Sequence, residues 1–173
     1  LDGGFAPWVG TLIADVKQPI LLVADPERVE EAITRLSRVG FDHCIGYLKD
    51  GFEAWQKTSK ETDTLTSVSA TTLKATLEKE EVPIFDVRKA SEYYAEHIPT
   101  AENTPLSFLN QHLAAFPSNK PFYIHCAGGY RSVIAASILK SRGIHNIIDI
   151  AGGFKAIKES DIPVSDYVCP STL

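Results

Sequence analysis

The chain has 173 residues, 44% of them hydrophobic, and a formal net charge of -5. That length suits one full domain of about 100 to 150 residues with a smaller one beside it. The acidic balance, without any basic cluster, argues against a nucleic-acid surface. No apolar run approaches the roughly 18 residues of a membrane helix, and no signal peptide is visible. Three cysteines, Cys44, Cys126 and Cys169, form no CxxC pair and no disulfide framework, which points to a reducing, cytoplasmic setting.

In chain order, residues 19–24 (Pro-Ile-Leu-Leu-Val-Ala) read as a short strand. Val29, Ala32, Ile33 and Leu36 follow as a helical stripe. Between them, Asp25 is placed to cap the helix with its carboxylate, and Pro26 suits the first helical position. Residues 43–48 read as the next strand. Residues 57–66, rich in Thr, Ser, Lys and Glu, read as a linker. Ser69 is a helix cap before Leu73 and Leu77, and residues 84–87 form a buried strand with Asp86 and Arg88 at its end. Those two could orient a site or bind its ligand, but a mutual ion pair bracing the fold is the favoured reading.

The stretch that carries chemistry comes next. Residues 121–125 (Pro-Phe-Tyr-Ile-His) read as a buried strand ending at Cys126, and Ile134 with Ile138 and Ala135 with Leu139 mark a helix beginning near Ser132. A cysteine at the carboxyl end of a strand, followed by Ala127, Gly128, Gly129, Tyr130, Arg131 and Ser132, lies where ligand sites form in open α/β sheets. The glycines let successive N–H groups turn inward, and the helix entrance adds unpaired donors, so the spacing predicts a cradle that holds Cys126 as a thiolate. Arg131 adds positive field or braces the loop. Tyr130 shapes the mouth, and Ser132 is either a cap or a donor. His97 and His125 are read as structural, since a nucleophile already ionised needs no base. Cys44 is expected in the core, and Cys169 beside Pro170 as an incidental tail residue.

An internal repeat underlies this order. Residues 19–24 parallel residues 121–126, Gly40 parallels Gly143, and Gly51-Phe52 parallels Gly153-Phe154. Where the later copy has Cys126-Ala-Gly-Gly, the earlier has Ala24-Asp25-Pro26-Glu27, whose carboxylates would repel an incoming anion. The division expected is 1–60 as a partial, non-catalytic unit, 61–68 as linker and 69–173 as the catalytic domain. The partial unit is expected to expose a sheet edge and to associate with a second chain or with the other unit.

The loop Cys126-Ala-Gly-Gly-Tyr-Arg131-Ser132 resembles the active loop of the rhodanese homology domain. Three other segments resemble that family's signatures: Pro83-Ile-Phe-Asp86-Val-Arg88 with Ser91-Glu92, Glu96-His97-Ile98-Pro99-Thr100-Ala101-Glu102-Asn103, and Gly152-Gly153-Phe154 followed by Asp161-Ile162-Pro163-Val164. The resemblance implies an α/β fold with a parallel five-stranded sheet and helices on both faces, preceded here by an incomplete second copy. It also implies a sulfurtransferase. Cys126 takes a sulfane sulfur from thiosulfate or a persulfide and passes it to a thiol or cyanide. Related phosphatases and arsenate reductases resemble one another in placing five residues between cysteine and arginine, against four here, so the narrower ring suits a persulfide better than a phosphate.

The block Gly3-Gly4-Phe5-Ala6-Pro7-Trp8-Val9-Gly10, with residues 21–25 and 47–55, is similar to the middle of bacterial metallo-β-lactamase and rhodanese fusions. In such proteins an iron-binding persulfide dioxygenase-like domain comes first, and a partner of that kind, or a second copy of the chain, is what the resemblance implies. No HxHxDH-type motif occurs in these residues, so neither metal nor cofactor is assigned to them. The chain contains no methionine, which leads to the expectation of a processed product or fragment. A non-catalytic docking role within such a fusion is the alternative reading.

Overall fold

The computed structural model describes residues 4–169; Gly3 and Pro170, named above, lie outside the described residues. The chain divides between Asp63 and Thr64 into two compact units.

The second unit is built on five parallel strands: β3 (Thr66–Val68), β4 (Ile84–Asp86), β5 (Ala101–Asn103), β6 (Phe122–His125) and β7 (Ile147–Ile150). They lie in the order β3-β7-β6-β4-β5. The apolar runs go to the middle: every residue of β4 and β6 is buried, as strands covered on both faces require. The more polar β3 and β5 take the edges, where one flank meets solvent.

One face is closed by α4 (Ala70–Leu77) and α7 (Gly153–Lys158). Ala70 and Leu73 of α4 and Phe154 and Ile157 of α7 pack with Tyr123, Ile84, Ile150, Ile98 and Ile162 in one buried cluster. On α6 (Tyr130–Ser141), Ala135, Ala136 and Leu139 are buried. Phe85, Phe116 and Phe122 stack with ring centroids 4.5 to 5.4 Å apart. A short helix, α5 (Ala90–Ala95), links β4 to β5. Ser69 caps α4 as expected, its Oγ accepting from the Thr72 N–H at 3.1 Å.

The stretch read as linker over 61–68 does not stay irregular. Its last residues, Thr66–Val68, pair with β7, because Val68 carries an apolar side chain into the α4 face.

The first unit holds α1 (Phe5–Leu12), α2 (Val29–Ser37), α3 (Gly51–Gln56) and a two-stranded parallel sheet of β1 (Ile20–Leu22) and β2 (Cys44–Tyr47). Its turns match those of the second unit. Gly40 and Gly143 have φ of 87° and 85°. The next N–H returns to Leu36 O at 3.0 Å in one unit and to Leu139 O at 3.1 Å in the other. Asp25 departs from expectation. A 3-10 turn, Pro26–Arg28, precedes α2, and it is the Asp25 carbonyl, not the carboxylate, that accepts from the Arg28 N–H. Cys44 is half-buried rather than core, its thiol 3.6 Å from Gly46 O. No described helix is long and apolar enough to cross a membrane.

Candidate active site

Cys126 leaves the end of the central strand β6 and is 1% exposed. The chain then bends through Ala127 and Gly128 to Gly129, which has φ of 99° and is the N-cap of α6. At that φ a side chain would be strained, so glycine is the residue that makes the turn. The turn aims the Gly129 N–H at Cys126 Sγ, 3.1 Å away. This is one of the unpaired donors of a twelve-residue helix, and it carries part of the dipole's positive end.

The loop is held from behind by α7. The Phe154 N–H donates to Cys126 O at 2.7 Å and the Lys155 N–H to Ala127 O at 3.1 Å. Gly153 makes this approach possible: a Cβ there would lie 2.5 Å from Cys126 O and 2.8 Å from Ala127 C. With those two carbonyls taken, the Gly129 N–H faces the sulfur. The first unit repeats the contact, a Cβ at Gly51 falling 3.0 Å from Ala24 O, with alanine where the other unit has the cysteine.

Helix α6 starts at Tyr130, two residues earlier than expected, so Tyr130, Arg131 and Ser132 form its first turn. Ser132 is therefore neither cap nor donor to Sγ. Its buried hydroxyl donates back to Gly129 O at 3.2 Å and stiffens the turn. Tyr130 is 53% exposed at the helix start. Arg131 braces: its guanidinium forks onto Glu92 with contacts of 2.6 and 2.8 Å, joining α6 to α5. Glu92 also accepts from the Lys89 N–H at 3.1 Å. The hydrogen bond to Arg131 holds the Glu92 carboxyl below the usual carboxylate range, and the same bond raises the guanidinium's hold on its proton.

Asp86 and Arg88 form the mutual pair favoured above, both buried. Asp86 accepts from the Arg88 backbone at 2.9 Å and from its guanidinium at 2.6 to 3.0 Å, while Arg88 also donates to Glu96 O at 2.8 Å and lies 3.8 Å over the Phe154 ring. Asn103 tightens this corner by donating to Asp86 O and Arg88 O at 2.9 and 3.0 Å. His125 is fully buried against Phe154, with Nδ1 3.3 Å from Cys126 O and Nε2 3.9 Å from Asp86 without a hydrogen-bond partner. Burial pushes its pKa below the ordinary imidazole value, against the opposing pull of Asp86. His97 is structural: it stacks on Tyr93 at 3.9 Å, with Nδ1 2.8 Å from Tyr93 O.

Sequence reasoning missed Glu92 and Asn103 as contributors, although both stand inside the motifs quoted. A carboxylate in the first turn of α5 was the available signal, but its partner lies 39 residues away. A groove of about 820 Å³, lined by Leu77, Val82, Pro83, Ile98, Lys120 and Ile162, opens at the starts of β4 and β6, the end opposite Cys126. Among the described residues, no group of three or more His, Cys, Asp or Glu is placed to hold a metal ion.

A strand-end cysteine facing the N–H of a glycine turn, on a five-stranded parallel sheet, defines a recognised class. The family model of the rhodanese-like domain matches residues 69–160, and the chain belongs to that family. It is similar to the thiosulfate sulfurtransferase GlpE of Pseudoalteromonas translucida, 37% identical over 46% of this chain and 76% of that one. It is also 39% identical to YqhL of Bacillus subtilis, over 42% of this chain and 57% of YqhL. The chain thus spans a little over half the length of several relatives it matches. A crystal structure of a rhodanese-like domain protein from Staphylococcus aureus superimposes with a TM-score of 0.54 at 31% identity, covering 60% of this chain and 100% of that one.

Proposed function

We propose that the second unit is a sulfurtransferase working through a Cys126 persulfide. The observation that carries the reading is the Gly129 N–H directed at a buried Sγ from the start of α6. The Cys126 thiolate attacks the outer sulfur of a donor. The S–S bond of the donor breaks, sulfite leaves thiosulfate or a thiolate leaves an organic persulfide, and a Cys126 persulfide forms. Backbone donors of the loop carry the charge of the outer sulfur. A thiolate or cyanide then attacks that sulfur, leaves as a persulfide or thiocyanate, and returns Cys126 to its thiolate.

Asp86 and Arg88 act as positioning residues in this reading, through Phe154 and the β4 end, and Arg131 through Glu92. The first unit is a partial, non-catalytic relative of the second, a reading supported by its matching turns and by Ala24 at the cysteine's position. The chain works within a larger persulfide-metabolising protein, alongside an iron-binding dioxygenase-like domain. That context rests on the resemblance of the residues around Phe5–Leu12 and β2. A reducing compartment goes with it, since the three cysteines of the sequence form no CxxC pair and no disulfide framework.

Incubation with thiosulfate or an organic persulfide, followed by intact-mass spectrometry, should reveal one added sulfur that cyanide removes and that Cys126→Ser never acquires. A chain that stays unloaded but hydrolyses an aryl phosphate would instead support a phosphatase. One that does neither would leave a docking role.

A further inference from the structure

Three cationic side chains of the second unit, Arg131, Arg88 and Lys158, are already engaged. Arg131, the one cation within the loop motif, has both arms of its guanidinium on Glu92, at 2.6 and 2.8 Å. Arg88 is closed on Asp86, and Lys158 on Glu96 at 2.6 Å. Ala127, Gly128, Gly129 and Tyr130 carry no charge. A guanidinium so paired presents only a residual field to a second anion, whereas an unpaired one attracts it at full strength. Thiosulfate would bring two negative charges to a site whose nucleophile is itself anionic. An organic persulfide on an uncharged carbon chain brings at most one negative charge, on its outer sulfur.

Resting on the sulfurtransfer reading above, we propose that Glu92 sets the donor preference of this site. By occupying Arg131 it leaves the loop motif without an unpaired cation for an inorganic dianion, and it thereby selects organic persulfides over thiosulfate. Lys155 is the rival determinant. Its N–H holds the Ala127 carbonyl, its side chain is exposed, and among the described residues no salt bridge joins it.

The test measures kcat/KM for sulfur loading of Cys126 in the full chain, with thiosulfate and with the persulfide of N-acetylcysteine methyl ester as the two probes. The unaltered protein should favour the persulfide by at least about tenfold at low salt. Glu92→Gln, which frees Arg131, should raise the ratio of the thiosulfate value to the persulfide value about tenfold, in a manner that added salt erases. Glu92→Asp, too short to reach both guanidinium arms, should fall between.

Equal loss for both donors in Glu92→Gln would make Glu92 merely structural and overturn the assignment. So would a thiosulfate preference in the unaltered protein, or a donor ratio that shifts with Lys155→Gln instead. Loading by neither donor sinks the sulfurtransfer reading and this assignment with it, whereas loading with the wrong ratio sinks this assignment alone.

Discussion

His125 illustrates how a single buried side chain records its surroundings. It sits between the Cys126 carbonyl and the Asp86 carboxylate, yet Nε2 finds no partner within hydrogen-bond reach. Burial therefore dominates and keeps the ring neutral in the folded chain. The consequence for stability has a definite sign. With the folded pKa below the unfolded one, the unfolded chain takes up a proton first as pH falls below about 6.5, and stability declines with acidity until the folded value is passed. Urea midpoints should drop between about pH 7 and pH 5.5, with a slope of at most about 1.4 kcal/mol per pH unit from this group. His125→Gln should flatten that slope. An unchanged slope in the variant would mean that other groups account for the acid sensitivity. The Glu92 and Arg131 bridge has a linkage of the same sign in a more acidic window. Its lowered carboxyl pKa contributes stability that is present above the ordinary carboxylate range and lost as pH falls through the folded value.

Among the elements, α6 and α7 divide the work of shaping the loop. Helix α6 offers an amide to the sulfur, and α7 takes the carbonyls of Cys126 and Ala127. Two glycines separate these roles experimentally. A methyl at Gly153 would overlap backbone atoms that cannot swing aside, at a φ of 58° that already disfavours side chains. Gly153→Ala should therefore cost more than about 3 kcal/mol in thermal or urea unfolding and depress Cys126 loading. At Gly128 a Cβ meets nothing within 4 Å. Gly128→Ala should stay within about 0.5 kcal/mol of the parent. Comparable losses at both positions would show that the loop is held by something other than its contact with α7.

The loop itself was legible in the sequence because its geometry is local. Glycine at Gly129 and the start of a helix dictate where the nearest amide points, whatever the rest of the chain does. The start of α6 was read two residues late because Ser132 looks like a cap, whereas Gly129 takes that place through its backbone conformation alone. The Asp25 carboxylate was misread similarly: the carbonyl of the same residue closes the turn, leaving the side chain no capping bond to make. Glu92 and Asn103 were named within motifs but not given roles, since nothing local indicates that α5 lies beside α6 or that Asn103 reaches over the end of β4.

At the scale of the molecule, the division between Asp63 and Thr64 leaves the second unit with a complete sheet, both helical layers and the whole loop. Its buried cluster is drawn entirely from residues between Val68 and Val164. Residues 64–173 produced alone should accordingly fold cooperatively and load sulfur at Cys126 within about threefold of the full chain. Failure to fold would assign the first unit a stabilising role that its own two strands do not suggest. The first unit by itself is less complete: Leu21, Ile45 and Tyr47 on its short strands are 72%, 59% and 54% exposed.

Strand and helix periodicity, the glycine turns and the cysteine loop were determined by the order of residues alone, because each depends on interactions within a few positions along the chain. The pairing of Arg131 with Glu92, the burial of His125 without a partner for Nε2, and the seating of α7 behind the loop were decided only by tertiary structure. Each requires the strand order β7-β6-β4-β5, which brings together segments that the chain itself keeps tens of residues apart.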